Sequence, residues 1–417
     1  MRTLAEAGPP GAPAGPPATP AGGPPGAGGP QELGRSRRRI IGVRRGDEPG
    51  PTVVCAGAVH GNEWSGVAAL QRVLTALAER NTPLRGELVA LAGNLSAIVQ
   101  DRRYLTHDLN RHWLAGNIER VSATPVEELA DEDLELRELL DVLHAVFARA
   151  RGQVYFLDLH TSSADGDPFV CIGDTLRNRA FAEGFCVPII LGLEEQIDGS
   201  LLEYVNNLGH ITVGVEAGQH RAESSVEHHE SFTWLALVNA GLMAANDVPG
   251  LDEHRERLRR ASHHLSGFMD VRHRHPIFLE DQFRMEEGFA NFQHIDAGQL
   301  LARDRHGEIR AVEDGRILLP LYQGLGSDGF FIARELNTFW LRLSAALRWL
   351  KLDAFVHWLP GVQRHPTRDA TLIIRTDLAR WFALEVFHLL GYRKRRAEEG
   401  LLLVSRRRFD HRPPRRS

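Results

Sequence analysis

A histidine and a glutamate three residues apart, His60 and Glu63, stand in the run Ala58-Val59-His60-Gly61-Asn62-Glu63, between an apolar stretch and an amphipathic one. Across a turn that enters a helix, side chains at this spacing can reach one point, and nitrogen and carboxylate oxygen at about 2 Å are what a zinc ion takes. The spacing alone decides little, since His220 and Glu223 share it. A third ligand has to come from elsewhere, and His160 in Phe156-Leu157-Asp158-Leu159-His160-Thr161 stands where an apolar strand ends. Two histidines and a glutamate leave one position open, as a catalytic zinc requires. For each histidine the alternative is a hydrogen-bonded side chain at a turn or strand end. Asp158, on the same strand face as His160, fits either a partner that orients this ligand or a polar residue closing a strand.

Two further segments suit an anionic substrate. Arg102-Arg103-Tyr104-Leu105-Thr106-His107-Asp108-Leu109-Asn110-Arg111 gathers guanidinium groups and an amide in one loop. Their forked donors match a carboxylate or a developing oxyanion, although such a loop can equally be solvated surface. In Val213-Gly214-Val215-Glu216-Ala217-Gly218 a carboxylate stands among small apolar residues at a strand end. An unpaired charge is costly there, so Glu216 either takes a proton from water beside a metal or belongs to a structural ion pair.

These positions need a scaffold, and the chain alternates in a way that supplies one. Strands are expected at Ile40–Val43, Thr52–Ala56, Leu88–Leu91, Val154–Leu159, Pro168–Ile172, Val187–Leu191 and Ile211–Val215. Helices are expected through Val67, Leu70, Val73, Leu74 and Leu77, from Pro125 to Arg149, and from Ser231 to Ala245. Continuous apolar strands between helices predict a doubly wound α/β sheet covered on both faces, over residues 36–250, with ligands beyond the carboxyl ends of its strands. After an Arg-rich helix, Leu251–His264, short β-like runs punctuated by Gly predict a small β domain over 265–335. Residues 336–417 read as an α+β appendage: a helix near Phe339–Leu350, strands at Thr371–Ile374 and Leu401–Val404, and a helix from Asp377 to Gly391.

Composition narrows the classes. The 417 residues are 43% hydrophobic and 25% charged, which excludes a fibrous rod or a wholly disordered chain. Residues 1–35 form a Pro/Gly/Ala-rich leader expected to be disordered. Lys351 and Lys394 are the chain's two lysines, and neither lies in a Gly-rich phosphate loop, which disfavours a P-loop nucleotidase and a pyridoxal-phosphate enzyme. Cys55, Cys171 and Cys186 form neither a disulfide framework nor a Cys-based zinc knuckle, so a cytoplasmic setting is expected. The longest apolar stretch, about Phe232 to Ala245, falls short of the ~20 residues that span a bilayer. From Arg393 onward ten Lys/Arg face three acids, a basic tail read as a solvated end.

Taken together, the four motifs resemble the succinylglutamate desuccinylase/aspartoacylase family, which shares its catalytic fold with zinc carboxypeptidases. The resemblance runs in register from His60 to Gly218 and continues into Phe289-Ala290-Asn291-Phe292 and Gly298-Gln299-Leu300-Leu301. It implies a mixed sheet of zinc-carboxypeptidase type and one zinc ion per chain, held by His60, Glu63 and His160. It further implies Glu216 as general base, Arg103 polarising the scissile carbonyl, Asn110 and Arg111 holding a substrate carboxylate, and no organic cofactor. Thr161 after Asp-Leu-His is nearer the desuccinylase pattern than the aspartoacylase one, and the leader and the residues after Leu336 have no counterpart in the family. The implied activity is removal of an acyl group from a small anionic N-acyl amino acid. The alternatives are a carboxypeptidase acting on peptide or cell-wall fragments, and a non-catalytic metal-binding or regulatory module that uses the basic tail. An intact Glu216 speaks against the latter. Beyond the substrate, the expected partners are at most further copies of the chain, with neither a membrane nor a nucleic acid.

Overall fold

Val53, Val54, Cys55 and Ala56 are all fully buried, and alternate positions enter two apolar clusters on opposite faces of one sheet. Leu88 to Leu91 repeat the pattern, so both strands are covered on both sides, as their unbroken apolar runs require. The computed structural model describes residues 30–80, 82–263, 265, 267–366, 370–375, 389–398 and 401–412. The strands are β1 (Ile40–Arg45), β2 (Glu48–Gly57), β3 (Arg85–Ala92), β4 (Val154–Ser162), β5 (Phe169–Cys171), β6 (Ile189–Leu191), β7 (Ile211–Gln219) and β8 (Phe268–Pro276). They are followed by β9 (Arg284–Met285), β10 (His294–Ile295), β11 (Leu300–Asp304), β12 (Gly307–Arg310), β13 (Gly315–Leu318) and β14 (Asp328–Leu336).

Eleven of these form one sheet in the order β1-β3-β2-β4-β7-β5-β6-β8-β14-β13-β10. Its centre, β3-β2-β4-β7, is parallel, while β1, β5 against β7, and the β8-β14-β13-β10 wing are antiparallel. The stretch expected as a small β domain is thus joined to the central sheet through β8, and β9, β11 and β12 make a second, three-stranded sheet.

Helices α1 (Pro30–Arg35), α2 (Ser65–Arg80), α3 (Leu95–Val99), α4 (Ala115–Ala123), α5 (Asp131–Arg149), α6 (Leu176–Ala182), α7 (Leu193–Gln196), α8 (Leu201–Asn207), α9 (Glu223–Asn239) and α10 (Leu251–Ala261) alternate with the strands. Residues of α2, α6, α9 and α10 cover one face, and residues of α4, α5 and α8 the other. The leader drawn to residue 35 is too long, because α1 is ordered into the core through Leu33. Helix α9 begins eight residues before the expected Ser231 and ends at Asn239. Its first turns bury His228, His229, Ser231 and Thr233 and satisfy them by hydrogen bonds, so no apolar periodicity marks them.

The C-terminal unit contains α11 (Thr338–Trp349) and an antiparallel sheet of β15 (Val362–Arg364), β16 (Thr371–Arg375), β17 (Tyr392–Glu398) and β18 (Leu401–Arg406), in the order β15-β16-β18-β17. It has an apolar cluster of its own, including Val356, Ile374, Leu390 and Val404. Of the expected Asp377–Gly391 helix, residues 377–388 lie outside the described residues, as do residues 1–29 of the leader and 413–417 of the tail. No helix among the described residues is long and apolar enough to cross a membrane.

Candidate active site

The three parallel strands β2, β4 and β7 end side by side, and their carboxyl ends carry the residues singled out above. At the end of β2 the chain must turn sharply to enter α2, and Ala58 takes a left-handed φ of 57° to do so, a strain that clusters at functional turns. The same turn packs on α3, where a Cβ on Gly61 would come within 2.3 Å of the Ala97 carbonyl carbon, so glycine alone fits. This close approach fixes His60 and Glu63 against the end of β4. On the other side, register pairs His160 of β4 with Glu216 of β7.

His60, Glu63 and His160 are buried, and their ligand atoms lie within 4.8 Å of one another. Glu63 Oε1 is 2.8 Å from His60 Nδ1, and Glu63 Oε2 is 3.0 Å from His160 Nδ1 while accepting from the Thr161 amide at 3.1 Å. Burial alone would keep Glu63 protonated, but His60 and His160 outweigh it and hold the carboxyl well below its usual range. Burial also works against a charged His160, but Asp158 and Glu63 overcome it and push the imidazole well above its usual range.

A residue without an assigned role, Asp108, locks this arrangement. Its Oδ1 receives His60 Nε2 at 3.0 Å and caps the short turn Leu109–Arg111 through the Asn110 amide, while Oδ2 receives Arg103 Nε and Nη2 at 3.2 and 3.1 Å. With Nε2 engaged, His60 presents Nδ1 to the site, the way a carboxylate fixes the tautomer of a metal-binding histidine. Burial opposes ionisation of Asp108, but Arg103 and His60 hold it well below the usual range. Arg103 also donates Nη1 to Glu63 Oε1 at 3.3 Å. The loop carrying these groups hangs on Glu132 of α5, whose buried carboxylate accepts from Leu105 N, Thr106 N, Thr106 Oγ1 and Asn94 Nδ2 at 2.7–2.9 Å.

Asn110 and Arg111 reach the cavity, but each also braces the fold. Asn110 Oδ1 accepts from Leu201 N, and its Nδ2 lies 3.4 Å from His160 Nε2. Arg111 donates Nη2 to Asp328 Oδ2 at 2.6 Å and Nη1 to the Asn110 carbonyl, leaving Nε buried without a partner. Glu216 faces the cavity with burial pushing its carboxyl up to about 8, and its Oε2 has no hydrogen-bond partner. Asp158 lines the same floor, with Oδ2 3.0 Å from His160 Nε2 but no hydrogen-bond geometry for either oxygen. Two imidazole nitrogens and a carboxylate form a zinc-type donor set, and the partnerless Glu216 Oε2 beside them suits a divalent cation.

The segment between β13 and β14 roofs the cavity. Leu319, Leu321, Gln323 and Ser327 line it, Gln323 Oε1 accepts from Asn62 Nδ2 at 3.0 Å, and the Tyr322 amide donates to Ser163 Oγ at 3.0 Å.

Fold and site together define an α/β protein with a buried His-Glu-His cluster that could hold a metal ion at the carboxyl edge of a parallel sheet centre. The family model of the succinylglutamate desuccinylase/aspartoacylase catalytic domain matches residues 49–235. Succinylglutamate desuccinylases of Burkholderia thailandensis and Photorhabdus laumondii are each 32% identical to it, over 111 and 145 residues. These stretches are 27% and 33% of this chain, and span 31% and 42% of the two relatives. The fold is that of a succinylglutamate desuccinylase/aspartoacylase from Rhodobacter sphaeroides, with a TM-score of 0.52 and 20% identity over 71% of this chain and 88% of the other. It is likewise that of the succinylglutamate desuccinylase from Chromobacterium violaceum, with a TM-score of 0.51 and 17% identity over 74% and 98%.

Two predictions follow from the packing beneath the site. Gly61→Ala should displace the ligand-bearing turn from α3 and lower stability by about 1–3 kcal/mol, read as a fall in Tm together with weaker metal binding. Glu132→Ala leaves five donors without their acceptor, so thermal unfolding should occur earlier and hydrogen exchange at Leu105 and Thr106 should accelerate. Unchanged exchange at those two amides would mean that the loop is held by other contacts.

Proposed function

We propose that the protein is a zinc-dependent amide hydrolase that removes the acyl group from a small N-acyl amino acid. The observation that carries this reading is the convergence of His60, Glu63 and His160 beside a buried, unpartnered Glu216. A zinc ion held by those three residues supplies Lewis acidity, which sharpens both the acidity of water and the electrophilicity of a carbonyl.

The chain's own residues do the rest. Glu216 lines the cavity beside these ligands, and a cation there would offset the burial that pushes its carboxyl up to about 8, leaving a carboxylate to take a proton from the attacking water and return it to the leaving amine. Arg103 is held charged by Asp108 and Glu63 against its burial, and stands at the cavity edge as a donor for the oxyanion. Arg111, with Nε unspent, offers an N–H to the carboxylate of the amino acid. Asp108 keeps Arg103 and His60 in place. The roof from Leu319 to Ser327 shuts off space that a long peptide would need, which favours a small substrate over a polypeptide. The free thiols of Cys55, Cys171 and Cys186 fit a reducing compartment such as the cytoplasm.

Wild type should carry about one zinc per chain, and His160→Ala should lose it, as measured by elemental analysis after dialysis. Equal metal in both proteins would remove this site. Glu216→Gln keeps the shape of the side chain without its basicity, so it should retain zinc while turnover on N-acyl amino acids falls by about 10²–10⁴-fold. Near wild-type turnover would take Glu216 out of the mechanism.

A further inference from the structure

The C-terminal unit meets the catalytic sheet through buried arginines, while its apolar cluster stays separate. Arg348, fully buried, reaches Asp174 Oδ2 at 2.6 Å and Asp410 Oδ1 at 3.4 Å. Arg393 reaches Glu203 Oε1 at 2.8 Å. Arg407 places Nη2 2.7 Å from Glu194 Oε1 and 2.6 Å from Glu195 Oε1, and donates Nη1 to the Tyr392 carbonyl. Asp410 adds two backbone links, accepting from the amides of Leu176 and Arg177.

Every catalytic-domain partner of these contacts lies between Asp174 and Glu203, and that stretch supplies one wall of the cavity through Leu193, Glu194, Ile197, Ser200 and Leu202. Glu194 is the one wall residue that Arg407 grips. Its carboxylate is packed against Gly173, where an added Cβ would come within 2.3 Å of Glu194 Oε2. Burial raises its pKa and Arg407 opposes that rise. Removing one member of a buried ion pair leaves an uncompensated charge that must find water. Glu194 lines the cavity, and α7, which carries it, has only four residues to resist a movement towards it.

We propose that the C-terminal unit completes the substrate pocket: Arg407 is a positioning residue that holds the Glu194 carboxylate back in the wall, and thereby fixes the surface of residues 193–202 against which the substrate rests. The proposal rests on the hydrolase reading for its kinetic arm only.

The test uses the full chain and compares wild type, Arg407→Met, Glu194→Gln and the double variant. Hydrogen exchange of residues 193–203 needs no substrate, and should be faster in Arg407→Met while β4 is unchanged. With an N-acyl amino acid, KM should rise about tenfold in Arg407→Met, with kcat within about threefold and zinc content unaltered. Removing the stranded charge on the cavity side should reverse the defect, so the double variant should recover most of the KM lost in Arg407→Met. Should Arg407→Met fail to fold, recovery of fold and KM in the double variant supports the proposal, and continued failure overturns it. Unchanged exchange and KM in a folded Arg407→Met overturn it, as does Glu194→Gln with the full KM defect, since the carboxylate would then touch substrate itself. If wild type cleaves no N-acyl amino acid, the hydrolase reading fails, while the wall's dependence on Arg407 stands or falls on exchange.

Discussion

A carboxylate buried where two parallel strands end has to be met by positive charge, and in this protein that carboxylate is Glu63. Burial disfavours its charged form, yet both oxygens are fully engaged: His60 and Arg103 at one, His160 and the Thr161 amide at the other. Each of these partners needs its own support. Asp108 holds His60 and Arg103, Glu132 holds the loop that carries Asp108, and His229 of α9 donates to the His160 carbonyl from an imidazole that burial keeps neutral, near a pKa of about 3. The site is the centre of a polar network inside an apolar sheet, and Asp108, Glu132 and His229 are placed by the surrounding elements to support it.

Much of this was legible in the sequence. The apolar runs of β2, β3 and β4 announce strands covered on both faces, and histidines just after β2 and at the end of β4 mark the candidate site. Glu216 stood out because a carboxylate between Val215 and Ala217 is costly unless it takes a proton beside a metal or joins an ion pair. Other supporting groups were hidden. Asp108 and Glu132 are ordinary acids in polar stretches, and only the fold brings Glu132 to the Leu105 amide 27 positions away. Asp328, which engages Arg111, lies 217 positions from it. The start of α9 was missed because its buried face is made of histidine, serine and threonine. The continuity of β8, β14, β13 and β10 with the central sheet depends on long-range pairing, to which local periodicity is blind.

The C-terminal unit shows how a separate core can still take part in a site. Its apolar cluster is separate from the main core, and beside the packing of Leu341 of α11 on that core the junction is made by arginines that pair with acids on the outer side of the pocket wall. Such contacts add little net stability, but they are demanding in geometry, and that geometry is passed to α7 and α8. A basic tail that reads as solvent-facing in the sequence therefore contains Arg407, one of the most deeply enclosed charges of the described chain.

The account stands on one metal bound by two imidazoles and one carboxylate. Crystals grown with one equivalent of zinc, measured on both sides of the zinc absorption edge, test this directly. The account predicts an anomalous peak within about 2.0–2.2 Å of His60 Nδ1, a Glu63 oxygen and His160 Nδ1. A fully occupied zinc elsewhere on the chain, with no peak among these three residues, would contradict it.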